Sequence, residues 1–515
     1  MSQQQTNITI AAPGFGGLNT ELSPTEQSDM YAQVADNCVI DNFGRIAARK
    51  GFDKITDDSS AMLANIPSNI YTFVGEDGSE ITFVAAGSGI YRGESVIVDI
   101  TPAGAAITDD NWQILTLNDK CYFIQANHDP LVFTHTGAGV GTLAVNTTNM
   151  PRATCGTSAY GRLWLADTDT DNHQVVYYSN RLDGEDFATG DAGSFNVANY
   201  WPTGFDTIKA IRVHNGRLII FGNRSIITYN QADGDPAAAP EAGGIVLEDT
   251  IKGMGCIARD TVANIGSDVL FLDYTGIRSL GRVIEERSMP VSEVSGNIRI
   301  ALRSAIQGLS SLAVKRVRSV FIPEEQLYLL IGAEEGTILA FNTAQRDETG
   351  AMRVTQWPST NITGGSNVNG GTVFCTKAQS VTQYAGYDDA GQSYRLRYTT
   401  KFLSFGDSTL LKIPKKMDTT LVAGTNSGYS VFWSYDYSTE RTSSYISLGT
   451  SDLSSEYGLA EYGIAEYTGG VSTIRKKTHL SGKGTVMQVS IEADIAGSQF
   501  SIQELNIQAL IGRMI

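Results

Sequence analysis

The residues with the clearest potential for chemistry form an acidic run near the end of the first third of the chain. Asp167, Asp169 and Asp171 occupy alternate positions, and alternate carboxylates can surround a hard cation such as Ca²⁺. The twelfth position of such a loop is Tyr178 instead of a bidentate glutamate, and Asn172 replaces the usual turn glycine. A hairpin turn rich in Asp and Asn is therefore the favoured interpretation, with Asp167, Asp169 and Asp171 as the candidate calcium ligands.

The other reactive residue types show no spacing typical of a catalytic or metal site. The histidines form no HExxH or HxH pattern, and Gly253-Met254-Gly255 is only a fragment of a phosphate-binding loop. Carboxylate pairs for glycoside hydrolysis come together only in the fold, so plentiful acidic residues do not identify one. We therefore assign no catalytic residue and no cofactor, and predict that the chain is not an enzyme. The five histidines are His128, His135, His173, His214 and His479.

The composition indicates a turn-rich all-β protein. Hydrophobic residues make up 42% and charged residues 18% of the chain, which has 53 glycines. Its five scattered cysteines include no CxxC pair, which argues against a disulfide framework or zinc site and favours synthesis in a reducing compartment. A secretory signal requires basic residues near its start, but no basic residue precedes Arg45. No apolar run approaches the ~20 residues that span a bilayer. The sequence thus predicts a soluble chain without a membrane-spanning segment.

A turn followed by a short β-rich hairpin recurs seven times, at intervals of 40 to 58 residues. Each copy pairs two strands of aromatic and β-branched residues, and these strands are apolar almost without interruption, so both faces should be covered. Stacked blades provide such cover, and the pattern predicts a seven-bladed β-propeller, with a β-sandwich as the rival fold. Six blades is the alternative count, because the first or last hairpin could belong to another domain. The copies begin at Ser79, Asp119, Gly161, Asn215, Ser267, Glu325 and Gly371.

The repeats divide the chain into three parts. Residues 1–60 form a repeat-free N-terminal arm, residues 61–395 the propeller, and residues 396–515 a β-domain with longer alternating strands. The first and third parts are predicted to form a β-sandwich-like platform together. Two insertions interrupt the propeller, a mobile loop over 231–244 and a short helix near 296–306. Ser295 is the candidate helix cap, and the expected apolar face comprises Ile298, Ala301, Leu302, Ala305 and Ile306.

Two features of the C-terminal part suggest contacts between molecules. Tyr457, Tyr462 and Tyr467 recur every five residues, a period that fits neither strand nor helix. Tyrosine suits surfaces that are half apolar and half wet, so this segment is either a subunit contact or a loop packed on its own domain. The basic groups 415–416 and 475–477 lack interleaved aromatic residues, which favours a solvated face or a salt-bridged subunit contact over a DNA site.

Several segments in chain order share loose patterns of glycine, aromatic and aliphatic residues with one family. They are GGLN from Gly16, NFGRIAARKGF from Asn42, HNGRLIIFGNRSIITYN from His214, the stretch from Ile251 to Leu280, and FSIQELNIQALIGR from Phe500. In these segments the chain resembles the tail nozzle proteins of short-tailed bacteriophages, also called tail tubular protein B or tail hub proteins.

The resemblance implies a structural virion protein rather than a catalyst. It implies a homohexameric ring below the portal-adaptor complex, with a central channel for retention of the genome and DNA ejection into the host. The implied partners are further copies of the chain, the portal-tail adaptor, tail fibre, spike or needle proteins, and translocating double-stranded DNA bound without sequence specificity. The implied location is the tail of the virion, after synthesis in the host cytoplasm.

The net charge is relevant to this expectation. With 38 basic and 55 acidic side chains the formal charge is −17, which opposes general affinity for phosphate backbones. Six copies would carry six times −17, or −102, so DNA could slide along the channel without long-lived contacts. The simpler interpretation is that the charge keeps the protein from aggregating.

The alternative function is a receptor-binding or carbohydrate-binding propeller, that is an adhesin. A propeller glycosidase is a further alternative, although the chain lacks the repeated SxDxGxxW boxes of sialidase-like propellers.

Overall fold

The computed structural model describes the chain with several gaps. The described residues are 4–23, 26–57, 65–168, 172–202, 204–231, 244–281, 293–347, 349–424, 428–448 and 472–511. Most of the predicted loop 231–244, two of the candidate calcium ligands, Asp169 and Asp171, and the three tyrosines Tyr457, Tyr462 and Tyr467 lie outside these ranges.

Six short strands precede the repeats. They are β1 (Gln4–Ala11), β2 (Gly17–Leu18), β3 (Tyr31–Asp36), β4 (Cys38–Ile40), β5 (Ile46–Ala48) and β6 (Gly51–Lys54).

Four antiparallel sheets of four consecutive strands follow, each paired in chain order. The first comprises β7 (Pro67–Val74), β8 (Glu80–Ala86), β9 (Gly89–Arg92) and β10 (Val98–Asp99). The second comprises β11 (Gln113–Leu117), β12 (Lys120–Gln125), β13 (His128–Gly137) and β14 (Val140–Val145). The third comprises β15 (Ala153–Ala159), β16 (Arg162–Thr168), β17 (Val175–Tyr178) and β18 (Gly193–Asn196). The fourth comprises β19 (Ile208–His214), β20 (Arg217–Gly222), β21 (Ser225–Gln231) and β22 (Ile245–Lys252).

Three more antiparallel sheets complete the series, with two short helices between the fifth and the sixth. The fifth contains β23 (Ala263–Asn264), β24 (Val269–Leu272) and β25 (Ile277–Ser279), and the helices are α1 (Arg299–Gly308) and α2 (Ser311–Val314). The sixth contains β26 (Arg318–Ile322), β27 (Leu327–Glu334), β28 (Thr337–Arg346) and β29 (Met352–Trp357). The seventh contains β30 (Ile362–Val368), β31 (Gly371–Thr376) and β32 (Val381–Ala385), with β6 as its fourth strand.

These sheets are the seven blades of a β-propeller, which confirms the predicted fold class. The seven hairpins recognised in the sequence begin at the second strand of each blade, and those second strands are buried along nearly their whole length. Separate apolar clusters lie between successive blades, for example between the first and second and between the third and fourth. Stacking of each blade on its neighbours therefore buries both faces of the second strands, as their continuous apolar sequence requires.

The ring of blades is closed by a strand from the N-terminal arm. The strand β6 pairs with β32, and β30 of the same blade packs on β7 of the first blade. Gly51 begins β6, where a Cβ atom would lie 1.7 Å from the carbonyl oxygen of Asp388. Only glycine allows this close approach of two backbone segments.

A two-sheet β-sandwich lies beside the propeller. Its strands from the C-terminal part are β33 (Tyr394–Thr400), β34 (Lys412–Ala423), β35 (Gly428–Tyr435), β36 (Thr442–Ser447), β37 (Ser472–His479), β38 (Met487–Ile495) and β39 (Phe500–Ile511). One sheet has the order β37-β34-β39-β5-β4, with β1 also paired to β39. The other contains β2, β3, β33, β38, β35 and β36. Residues from both sheets form one apolar core, which includes Met417, Leu421, Val431 and Ile491.

The sixth blade and the second sheet of the sandwich form one continuous ten-stranded sheet. The outer strand of the blade, β29, pairs in parallel with β2 at Val354 and Gly17, and with β3 at Gln356 and Asp36. Side chains reinforce this connection, since the indole nitrogen of Trp357 donates a hydrogen bond to the carbonyl oxygen of Cys38 at 2.9 Å. Propeller and sandwich are therefore joined by backbone hydrogen bonds as well as by the covalent chain.

The predicted helix differs in detail from α1. Leu302 and Ile306 are buried, but Ala301 is exposed and does not belong to the apolar face. Ser295 makes no capping bond, because its hydroxyl accepts a hydrogen bond from the backbone nitrogen of Ile277 instead. Within the described residues, no helix is long and apolar enough to cross a membrane.

We predict that Gly51→Ala destabilises the protein by about 1–3 kcal/mol, because the added methyl group must displace the backbone near Asp388. The matched control is Gly308→Ala at the end of α1, where the new Cβ meets no atom within 4 Å and helix propensity favours alanine. Thermal unfolding measures both variants. Equal melting temperatures would contradict the role of β6 in closing the ring.

The cysteines give a second prediction. All five are buried free thiols, and burial raises the pKa of Cys155 to about 12 and the pKa values of Cys256 and Cys375 to about 11. The hydroxyl of Thr363 opposes this effect at Cys375, but burial outweighs it in setting the pKa of that thiol. Because the thiolate is the nucleophile, iodoacetamide at pH 8 should leave the native thiols unmodified and should modify all five in denaturant.

The same thiols should make stability depend on pH. Raising the pH through the ordinary thiol pKa should favour unfolding, since only the unfolded chain then loses these protons.

The labelling experiment is measured by mass spectrometry, which counts the cysteines that iodoacetamide has modified. Rapid labelling of the native protein would contradict the burial of these thiols.

Candidate functional site

The axis of the propeller carries a cluster of three arginines around one carboxylate. Arg259, on the turn before the fifth blade, donates from Nε and Nη2 to the two carboxylate oxygens of Asp260, both at 2.8 Å. Arg318 of β26 donates to Asp260 Oδ2 at 2.7 Å and to Asn111 Oδ1 at 3.0 Å. Arg212 of β19 donates to the carbonyl oxygen of Arg259 at 3.5 Å. We call Arg212, Arg259, Asp260 and Arg318 the axial cluster.

The axial cluster ties separate blades together. Arg259 reaches from the fifth blade to the carbonyl oxygen of Thr154, in the third blade, at 2.6 Å, and to Asn111, which precedes the second blade, at 3.1 Å. Burial alone would raise the pKa of Asp260, but the charges of Arg259 and Arg318 outweigh it and lower that pKa below its usual range. The carboxylate therefore stays ionised at neutral pH. These hydrogen bonds of Arg259 also block the passage along the propeller axis from one end of the propeller to the other.

A cavity of about 340 Å³ lies at one end of the axial cluster, where the innermost strands begin. Its lining includes Arg259, Lys209, Asp167 and His173. The Nδ1 atom of His173 lies 2.5 Å from Asp167 Oδ1, and the hydroxyl of Thr154 donates to the other oxygen of Asp167. A His-Asp pair in a cleft can support proton transfer, so this is the place where a ligand-binding propeller could act. We call it the mouth cavity.

The calcium interpretation of the acidic run gains no support from Asp167. Its two carboxylate oxygens are hydrogen-bonded by His173 and Thr154, while Asp169 and Asp171 lie outside the described residues. Among the residues that the structure describes, no group of three or more His, Cys, Asp or Glu side chains is placed to hold a metal ion.

The other histidines are separated from one another. His135 is buried between the first two blades, with Nδ1 2.9 Å from Asp119 Oδ2 and Nε2 3.1 Å from the hydroxyl of Ser79. The ring of His128 packs edge-on against Trp112. His479 ends the strand β37 on the sandwich.

A cavity of about 700 Å³ lies at the junction between the seventh blade and the sandwich. Arg49 forms part of its lining and is only 1% exposed. Its Nη1 and Nη2 atoms donate to the two oxygens of Asp389 at 2.9 and 2.7 Å, and its guanidinium carbon lies 4.0 Å from the centre of the Tyr394 ring. Its Nε donates to Asn37 Oδ1 at 3.0 Å. One side chain thus connects β6, the end of the seventh blade and the sandwich.

The outer face of the sandwich carries the basic residues noted in the sequence. The strand β37 pairs with β34 so that Arg475 lies opposite Thr420 and Lys477 opposite Asp418. Asp418 accepts from Arg475 at 3.3 Å and from Lys416 at 3.4 Å. The basic edge, defined as Lys416, Arg475 and Lys477, therefore places three cations near Asp418, of which Lys416 and Arg475 bond to it. In the described part of the chain, β37 pairs with β34 alone and forms the end of its sheet.

Sequence reasoning missed the axial cluster and Arg49. Arg212, Arg259 and Arg318 precede the starts of their repeats by 3, 8 and 7 residues, so no constant offset relates them. Alignment of the strand before each hairpin would have placed Arg212 and Arg318 on innermost strands. No pattern near Arg49 indicates its partner Asp389, which lies 340 residues away.

Comparisons with known proteins add little beyond the fold. No family model and no curated protein matches the chain. Among solved structures, virginiamycin B lyase from Staphylococcus aureus is 12% identical with a TM-score of 0.34, and covers 63% of this chain and 97% of its own. YCF48 from Cyanidioschyzon merolae is 7% identical with a TM-score of 0.37, and the match covers 65% of this chain and 99% of YCF48. The WD40 β-propeller domain of Doa1 is 8% identical with a TM-score of 0.36, and the match covers 65% of this chain and 97% of that domain. Likeness at this level supports no inference about activity, ligand or partner.

We predict that Asp389→Asn destabilises the protein by about 1.5–3 kcal/mol, because it removes a charged hydrogen-bond acceptor from the buried Arg49. The control is Asp191→Asn. That carboxylate is 68% exposed and lies 3.6 Å from the equally buried Arg162, so its loss should cost less than about 1 kcal/mol. Urea denaturation measures both changes, and equal effects would contradict the structural role of the Arg49–Asp389 pair.

Proposed function

We propose that the chain is a structural subunit of a phage tail nozzle or hub, six copies of which form a ring below the portal-adaptor complex. The ring would provide the channel through which DNA is retained and then ejected into the host. The segments that resemble nozzle proteins support this proposal, and the continuous ten-stranded sheet is the structural observation that carries it.

The continuous sheet suits a subunit that must keep its shape under load. Many two-domain enzymes close around a substrate by hinge motion in a connecting segment. Here β29 pairs directly with β2 and β3, so a hinge between propeller and sandwich would require breaking backbone hydrogen bonds. A rigid subunit fits a channel wall better than a closing active site. We accordingly propose a non-enzymatic role.

The axis of the individual propeller does not suit DNA. Two cavities lie along it, the mouth cavity and another on the opposite side of the axial cluster. Each measures about 340 Å³, and Arg259 bonds across the axis to Thr154 and Asn111. The major groove of B-DNA alone is about 12 Å wide, so a duplex is far too large for such a passage. A DNA channel must therefore lie between copies of the chain, and the proposal requires a ring.

The basic edge is the surface that we propose for contact between neighbouring copies. It concentrates positive charge on a chain whose net charge is −17, so an acidic face of the next copy is an electrostatically complementary partner. Charged side chains on an edge strand also prevent another strand from pairing with it. The contact with the next copy would therefore be made by side chains.

The alternative is a receptor-binding or carbohydrate-binding propeller, which the mouth cavity favours. His173, Asp167 and Lys209 present hydrogen-bonding groups in a cleft at the axis, a common position for a ligand site. A glycan array with the purified chain distinguishes the two proposals. Saturable binding of a specific glycan, together with the absence of a ring on particles, would replace the nozzle by the adhesin.

We predict that Arg475→Glu with Lys477→Glu reduces the fraction of particles carrying the ring by about tenfold or more, because like charges then oppose each other at the contact. Electron microscopy of assembled particles should show six wild-type copies around an axial hole. The control, Arg303→Glu with Lys252→Glu, makes the same charge change at exposed sites on α1 and the fourth blade and should retain the ring. Circular dichroism verifies that both variants fold.

The outcomes separate the two parts of the proposal. A ring that tolerates charge reversal would show that the basic edge is not the contact, while leaving the nozzle proposal in place. Particles that carry the chain as single copies away from the tail axis would overturn the nozzle proposal itself.

A further inference from the structure

A second axial cavity lies on the other side of the axial cluster from the mouth cavity. Its volume is about 340 Å³, and residues on or beside the innermost strands of all seven blades line it. Arg212 and Arg318 contribute guanidinium groups to its wall, and Asp260 is the one acidic residue of the lining. We call this space the axial cavity.

The charges around the axial cavity are not balanced. Both oxygens of Asp260 already accept hydrogen bonds from Arg259, and one of them also accepts from Arg318. Arg212 donates only to carbonyl oxygens, at 3.1 to 3.5 Å, and within the described residues no ion pair involves it. The lining of the axial cavity thus holds two arginines and one carboxylate, an excess of one positive charge, while Asp109 and Asp110, which act on Arg259 and Arg318 through their charges, lie outside that lining.

An unsatisfied donor points to the same conclusion. Arg318 is 4% exposed, and its Nε atom has no hydrogen-bond partner although the other two nitrogens of the group are bonded. A buried donor without an acceptor is costly, and native structures seldom leave one without a ligand, ion or water. The lining of the axial cavity also offers hydroxyl groups from Thr157, Ser158 and Ser366.

We propose that the axial cavity binds a small oxyanion, a carboxylate or a phosphate, through Arg212 and Arg318. Guanidinium groups bind both kinds of oxyanion with paired N–H donors, and the hydroxyls supply further donors. The bound anion would neutralise the excess charge at the point where the blades meet. It would therefore stabilise the propeller, and it requires neither the ring nor the channel.

Titration calorimetry tests the proposal with the full chain at constant ionic strength. Inorganic phosphate and malonate serve as separate probes, so that the preferred oxyanion is identified by the stronger binding. We expect saturable binding of at least one probe with one site per chain. Arg212→Gln should weaken it at least tenfold, whereas Arg303→Gln, the same change on the exposed face of α1, should leave it unchanged.

Three results would overturn the proposal: no saturable binding of either probe, equal binding by wild type and Arg212→Gln, or equal losses in Arg212→Gln and Arg303→Gln. If Arg212→Gln fails to fold, Arg212→Lys replaces it, since it keeps the charge but loses the paired donors and should still weaken binding. A crystal of the wild-type chain soaked in selenate gives an independent measurement. An anomalous peak beside Arg212 and Arg318 supports the site, and a cavity without one contradicts it.

Discussion

Backbone pairing between the sixth blade and the N-terminal arm is the constraint on which the rest of the structure depends. The contact of β29 with β2 and β3 extends a four-stranded blade into a sheet of ten strands. A blade normally ends at its outer strand, whose exposed edge is open to further pairing. Here the arm occupies that edge, and the sandwich is built outward from it. The orientation of the two domains is therefore fixed by hydrogen-bond register rather than by side-chain packing alone.

The N-terminal arm has a second role, because β6 completes the seventh blade while β1 pairs with β39. One segment of about fifty residues thus closes the propeller and joins both ends of the chain. Arg49 lies between these functions, with partners in the arm, at the end of the seventh blade and in the sandwich. Such long-range contacts cannot form until most of the chain is present, so closure of the ring should come late in folding.

Elements whose formation depends on local burial were predictable from the sequence, whereas pairings between distant segments were not. The seven hairpins were recognisable because the second strand of each blade is buried on both faces and is apolar almost throughout. The pairing of Gly17 with Val354 leaves no trace in composition or period. The expected cap at Ser295 was wrong because a contact with Ile277 occupies its hydroxyl, and Ala301 is exposed because only Leu302 and Ile306 of α1 reach the core. The arginines of the axial cluster were missed because they become neighbours only when the ring closes.

The distribution of charge links the two proposals. A chain of net charge −17 holds an excess of arginine at the axis and of basic side chains along β37. Exposed charges are screened over about 10 Å at 0.1 M salt, whereas charges within a narrow cavity are screened much less. A surface that repels the phosphate backbone of DNA is therefore compatible with an interior that attracts one small anion. The axial cavity can attract a small anion and still exclude DNA because of its size: about 340 Å³ admits a single oxyanion but not a polymer.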